Sequence, residues 1–94
     1  MLYRLAFGVT GDGHLGVTAS AKGQPEVSTI HLNDEVFAVV VRAAQMAPFQ
    51  TVRLLEAARE ARRQPGMDIC CEAVELTPME IEALCLRPGR DKIA

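Results

Sequence analysis

The chain has 94 residues, 49% hydrophobic and 23% charged, a balance that supports one buried core and excludes a disordered chain. A formal net charge of −2 gives no global pull toward nucleic acid or anionic membrane. No run of roughly 18 apolar residues exists to span a bilayer, so no membrane partner is expected.

The aromatic residues are Tyr3, Phe7, Phe37 and Phe49, with no Trp, so the core must be built from Val, Leu, Ile, Ala and Met. The N-terminus has no basic leader followed by a long apolar run, and secretion is not expected. Cys70, Cys71 and Cys85 are odd in number, and two of them are adjacent. That pattern argues against a disulfide framework and for a reduced, cytoplasmic setting.

Residues 2 to 10 alternate, with Tyr3, Leu5, Phe7 and Val9 on one face and Arg4 and Thr10 on the other. Residues 14 to 21 alternate again, with Leu15, Val17, Ala19 and Ala21 on one face. Period two on both sides of Gly11-Asp12-Gly13 predicts a β-hairpin. Residues 11 to 16, GDGHLG, also satisfy the dinucleotide pattern G-x-G-x-x-G. That chemistry needs the glycines between a strand and a helix, where pyrophosphate meets the helix N-terminus. Here they lead into a second strand, so Gly11 and Gly13 are expected to supply positive-φ turn residues, and no nucleotide or other cofactor is expected.

Residues 22 to 25, KGQP, form a second turn, and residues 27 to 32, VSTIHL, read as a third strand with Ile30 and Leu32 on the core side and His31 on the outer face. Asn33 then caps a helix whose first residues, Asp34 and Glu35, suit its positive end. A competing hairpin through residues 36 to 41, VFAVVV, loses because the run continues into helix-forming residues without a turn. This stretch is apolar over more than one core face requires, so it is either central core or an interface.

Residues 50 to 63, QTVRLLEAAREARR, make the clearest helix. Leu54, Leu55, Ala58 and Ala61 line its apolar stripe, and Arg53, Glu56, Glu60 and Arg63 its charged one. Gln64-Pro65-Gly66 stops it. Residues 68 to 76 read as a fourth strand, with a helical alternative also fitting their spacing. Thr77-Pro78-Met79-Glu80 is a capping box that opens a short helix through Leu86. Residues 90 to 94 form a charged tail expected to fray. The order β-β-β-α-α-β-α within one domain over residues 1–94 predicts an α+β fold, with a small, mainly antiparallel sheet and helices packed on one face.

No C-x-x-C or H-x-x-x-H pair is present for a structural metal. On a strand Cys70 and Cys71 point to opposite sides and cannot share one. His14 reads as an exposed residue beside the first turn. Nothing local supports a nucleophile with a base, so no catalytic residue is assigned and no enzyme is expected. Candidate partner-binding residues are Arg53, Arg59, Arg62 and Arg63, which cluster within eleven residues. The simpler reading is a salt-laced helix surface, since Glu56 and Glu60 precede Arg59 and Arg63 by three residues.

Residues 27 to 63, with strand VSTIHL, the Asn33 helix, a break at Ala47-Pro48-Phe49 and the arginine-rich helix, resemble the ribbon-helix-helix family of dimeric DNA-binding regulators. The resemblance implies that paired strands from two subunits enter the major groove. Thr29 and His31 would face the bases, and the second helix's N-terminus near Gln50 and Thr51 would hold a phosphate. Arg53 would be a phosphate contact in that alternative. The leading expectation is a non-enzymatic protein that binds another protein as an inhibitor, adaptor or immunity-type module. Nucleic acid is a partner only in the alternative, and a homodimer stays open.

Overall fold

Gly13 adopts φ 88°, a conformation open to glycine at little cost, and there the first hairpin turns. The Gly13 amide donates to the Thr10 carbonyl at 2.9 Å, and the Thr10 amide donates to His14 O at 2.8 Å. Thr10 Oγ1 also accepts from the His14 amide at 3.1 Å. Gly11 is not in the positive-φ region, so the turn requires only the second of the two glycines. On either side lie β1 (Leu2–Val9) and β2 (Leu15–Ser20), paired from Arg4↔Ser20 to Val9↔Leu15.

The computed structural model describes residues 1–84 and the backbone of residues 87 and 88. After the hairpin come β3 (Val27–His31), α1 (Asp34–Ala43), α2 (Pro48–Arg63), β4 (Ile69–Glu75), α3 (Pro78–Ala83) and the two-residue β5 (Arg87–Pro88). The strands form one antiparallel sheet in the order β4-β1-β2-β3-β5. The architecture is the expected α+β fold. The short β5, which pairs with Val27 and Ser28, falls beyond the elements anticipated from sequence. The expected end of the last helix at Leu86 and the tail at residues 90 to 94 lie outside the described residues.

Alternation fixes which face of the sheet is covered. Leu5 and Phe7 on β1, and Leu15, Val17 and Ala19 on β2, are buried against Phe37 and Val41 of α1 and Leu54, Ala58 and Ala61 of α2. Phe7 and Phe37 meet edge to face, their ring centroids 5.7 Å apart, the geometry aromatic quadrupoles favour.

In β3 the faces are reversed from the expectation. Register pairs Val27 with Ala19, Thr29 with Val17 and His31 with Leu15, so these three point toward the helices. His31 is buried at 7% exposure, and Leu32 is 63% exposed. The apolar residues Val27, Ile30 and Leu32 do not share one parity, so composition could not choose a face. The turn chose it, through Gly23 at φ 78° and the Gln24 amide bonded to Ala21 O at 3.0 Å. A one-residue difference in register exchanges every inward side chain for an outward one.

Asn33 caps α1 as expected, its Oδ1 accepting from the Val36 amide at 2.8 Å. Gln45 ends the helix in the left-handed region at φ 57°, and α2 starts at Pro48, two residues before the expected Gln50. Residues 36 to 41 divide: Phe37 and Val41 are buried, while Val36 and Val39 are exposed. Thr77 and Glu80 form both bonds of the capping box that opens α3. Among the described residues no helix is long and apolar enough to cross a membrane.

Candidate functional site: a groove beside a free strand edge

Among the described residues β4 ends the sheet, with β1 on one side and no strand on the other. Its pairing with β1 contains a bulge. Tyr3 faces Val74 and Leu5 faces Cys71, so β4 carries one extra residue opposite Arg4. Ala73 takes the left-handed conformation, φ 54°, as bulges of this kind require. The extra residue lets Cys71 and Val74, three apart, both face the helices. Cys70 and Glu72 instead meet Arg4, whose Nε donates to Glu72 Oε2 at 2.9 Å and whose Nη2 donates to Cys70 Sγ at 3.2 Å. The adjacent cysteines therefore point to opposite sides, as expected. Both are free thiols, and burial pushes the Cys71 thiol up, an effect that nearby Arg53 opposes. Cys85 lies outside the described residues.

The outer edge of β4 is flanked by α2. At one end Gln50 closes the gap: its Nε2 donates to Glu75 O at 3.1 Å, and its Oε1 accepts from the Glu75 amide at 2.9 Å. This primary amide bonds the strand as a neighbouring peptide unit would. One helical turn on, Arg53 Nη2 donates to Glu72 O, and its guanidinium stands 5.6 Å from the centre of the Phe49 ring. Beyond Arg53 the two elements line an open groove of about 760 Å³. Ala57, Ile69 and Cys71 supply its apolar lining, and Glu56, Arg59, Glu60 and Arg63 its charged wall.

Three of the four arginines singled out in the sequence therefore share one site. Arg63 pairs with Glu60 at 2.8 Å. Hydrogen bonds from Arg63 first, then Gln64, hold the Glu60 carboxyl below the usual carboxylate range. The parallel pair expected between Glu56 and Arg59 does not form within 4 Å, and both side chains remain exposed. Arg62 points elsewhere. Its guanidinium donates to Asp34 Oδ1 at 2.9 Å, Gly13 O at 2.9 Å and Leu32 O at 2.8 Å, which makes it an internal clasp.

Thr29 and His31 are not part of this groove. Both turn toward the helices, and β3 pairs with β2 of its own chain, so the face that the ribbon-helix-helix resemblance would offer to bases is an interior one. His31 lies 5.3 Å from Phe37 between ring centroids, its Nε2 has no hydrogen-bond partner, and burial lowers its pKa. His14 is partly exposed, with Nδ1 3.7 Å from Asp12. Among the described residues no three His, Cys, Asp or Glu side chains converge to hold a metal ion.

Sequence reading missed Gln50 as an edge partner and Arg4 as the link between Cys70 and Glu72, because both roles are tertiary. The bulge did leave a signal, since apolar Cys71 and Val74 break period two by one residue. No family model, curated protein or solved structure matches the chain.

Proposed function

We propose that the protein is a non-enzymatic binding module that holds a segment of another protein in the groove between α2 and β4. The carrying observation is the groove's composition. An apolar lining of Ala57, Ile69 and Cys71 lies beside a wall on which Arg53, Arg59 and Arg63 alternate with Glu56 and Glu60. An apolar centre with a rim of both signs is the usual anatomy of a protein–protein contact. A duplex-binding surface draws much of its free energy from arginine and lysine contacts that release counterions, and interleaved glutamates oppose that. Phe49 and Val52 extend the same helix with exposed apolar side chains, 71% and 53% exposed, which enlarges the contact surface. An inhibitor, adaptor or immunity-type role fits binding of this kind.

The test compares proteins captured from the native host by the wild-type chain, by the double variant Glu56→Lys/Arg59→Glu and by Arg42→Glu. Arg42 lies outside the groove and controls for surface charge. A protein retained by wild type and Arg42→Glu but lost from the double variant is the expected result. A palindromic duplex enriched from random DNA at near-physiological salt, bound at nanomolar affinity, would overturn the proposal.

A further inference from the structure

We infer that the partner segment enters the groove as an added β-strand, hydrogen-bonded along the outer edge of β4. This inference rests on the groove being a protein-binding site and names the form its ligand takes. Three observations carry it.

The first is the direction of the backbone groups. In an antiparallel ladder the residues of a strand turn their N–H and C=O alternately toward one neighbour and the other. Glu75, opposite Leu2, turns both groups outward to Gln50, while the next amide, Leu76, donates inward to Met1 O at 3.0 Å. Four positions along β1 from Leu2, Ala6 stands opposite Cys70, so Cys70 also turns its N–H and C=O outward. Glu72 O points the same way, to Arg53.

The second is Gln50. Its side-chain amide already occupies the Glu75 position with one donor and one acceptor bond, the pair a neighbouring strand would make. Gln50 and Arg53 shield the C-terminal half of the edge, and the half around Cys70 opens onto the groove. Edge strands left unpaired in this way are templates for another backbone, and a groove between a strand edge and a helix is where strand addition gains side-chain specificity.

The third is charge, which disfavours a second copy of this chain in the registers centred on the outward-turned residues. Antiparallel self-pairing centred on Cys70 would set Glu72 against Asp68 of the copy, and pairing centred on Glu72 would set that glutamate against itself. Like charges directly opposite are destabilising. The occupant is instead an extended segment of a different protein. Its helix-facing side chains are apolar beside Ala57 and Ile69, with charged neighbours for the exposed Glu56 and Arg59.

The test uses the full chain and displayed random peptides long enough to span β4. Enriched peptides are resynthesised with single backbone N-methyl groups at successive positions. The expected result is a loss of about tenfold or more at every second position and little change between them, the period of a ladder. Cys70→Pro removes one outward N–H and no backbone bond to β1, a substitution edge strands tolerate, and like Cys70→Ser it replaces the thiol that accepts from Arg4. It should weaken binding by about tenfold, whereas Cys70→Ser retains it. Gln50→Ala uncovers Glu75 and should tighten binding. N-methyl losses without period two overturn strand addition even if Cys70→Pro fails to fold. Peptides lost with Arg59→Glu but indifferent to N-methylation leave the groove as a binding site and overturn the strand. A library that yields no binder overturns both.

Discussion

Arg62 and Arg59 lie three residues apart on the same helix and have opposite consequences. Arg62 is 27% exposed and ties the end of α2 to the hairpin turn, the exit of β3 and the first turn of α1. Replacing it with Ala removes three charge-assisted bonds, the one to Asp34 part-buried, and leaves the two carbonyls to water, which should cost about 1–2 kcal/mol in urea unfolding. Lys should not restore the loss, because an ammonium cannot reach three acceptors set around a planar fork. Arg59→Ala should change stability by no more than about 0.5 kcal/mol. Equal costs for the two would show that Arg62 is not a clasp. His31 adds a pH dependence. Burial lowers its folded pKa below the ordinary value near 6.5, so the unfolded chain takes up the proton first. Its neutral form supports full stability above about pH 6.5, and stability falls as pH drops below that, by at most about 1.4 kcal/mol per pH unit, levelling off beneath the folded pKa. Asp12 and Glu60, both held below their ordinary range, add losses only near pH 4 and lower. Denaturant midpoints between pH 5 and 7 should therefore slope in wild type and flatten in His31→Phe.

Ala73 shows how an element can be strained in the service of its neighbours. The left-handed conformation costs an L-residue about 1–2 kcal/mol relative to glycine, and the bulge keeps it because both Cys71 and Val74 then reach the core side. Ala73→Gly should stabilise the protein by about 0.5–1 kcal/mol after the added freedom of the unfolded chain is subtracted. That corresponds to a rise in melting temperature of roughly 2–6 °C. A fall would mean that the Ala73 methyl makes a contact worth more than the strain. The same strand marks the boundary of what the sequence disclosed. β1, β2 and α2 were legible because each repeats a single period long enough to define one apolar face. β3 was not, because Val27, Ile30 and Leu32 straddle both parities and a turn set the register. β5 was hidden by its length and its proline. Clustered arginines pointed to α2, yet which of them faces the groove depended on where β4 lies against that helix. The role of Gln50 depended wholly on that placement.

At the scale of the molecule, stability rests on the core between one face of the sheet and the helices, and β1 is the member with a long strand on either side. Phe7 is fully buried there. β3 has β2 on one side and only two residues of β5 on the other. Amide exchange should rank these elements. Opening β1 requires breaking two ladders and the core together, so its amides should exchange at the rate of global unfolding, while those of β3 beyond Ser28 should exchange through smaller openings. β4 gives the sharper test because its amides divide by direction. Val74 and Leu76, turned toward β1, should be slow. Cys70, turned to the groove, should be fast. Glu75 is also turned outward, but the Gln50 side chain covers it, so it should be slow in wild type and fast in Gln50→Ala while Val74 stays unchanged. If Cys70 were as protected as Val74, its N–H would not be available to another strand. If Glu75 were indifferent to Gln50, the side-chain amide would not be occupying the edge. The outward amides of β4 thus report on the free protein, without any partner, whether a rigid and unpaired strand edge stands ready beside the groove.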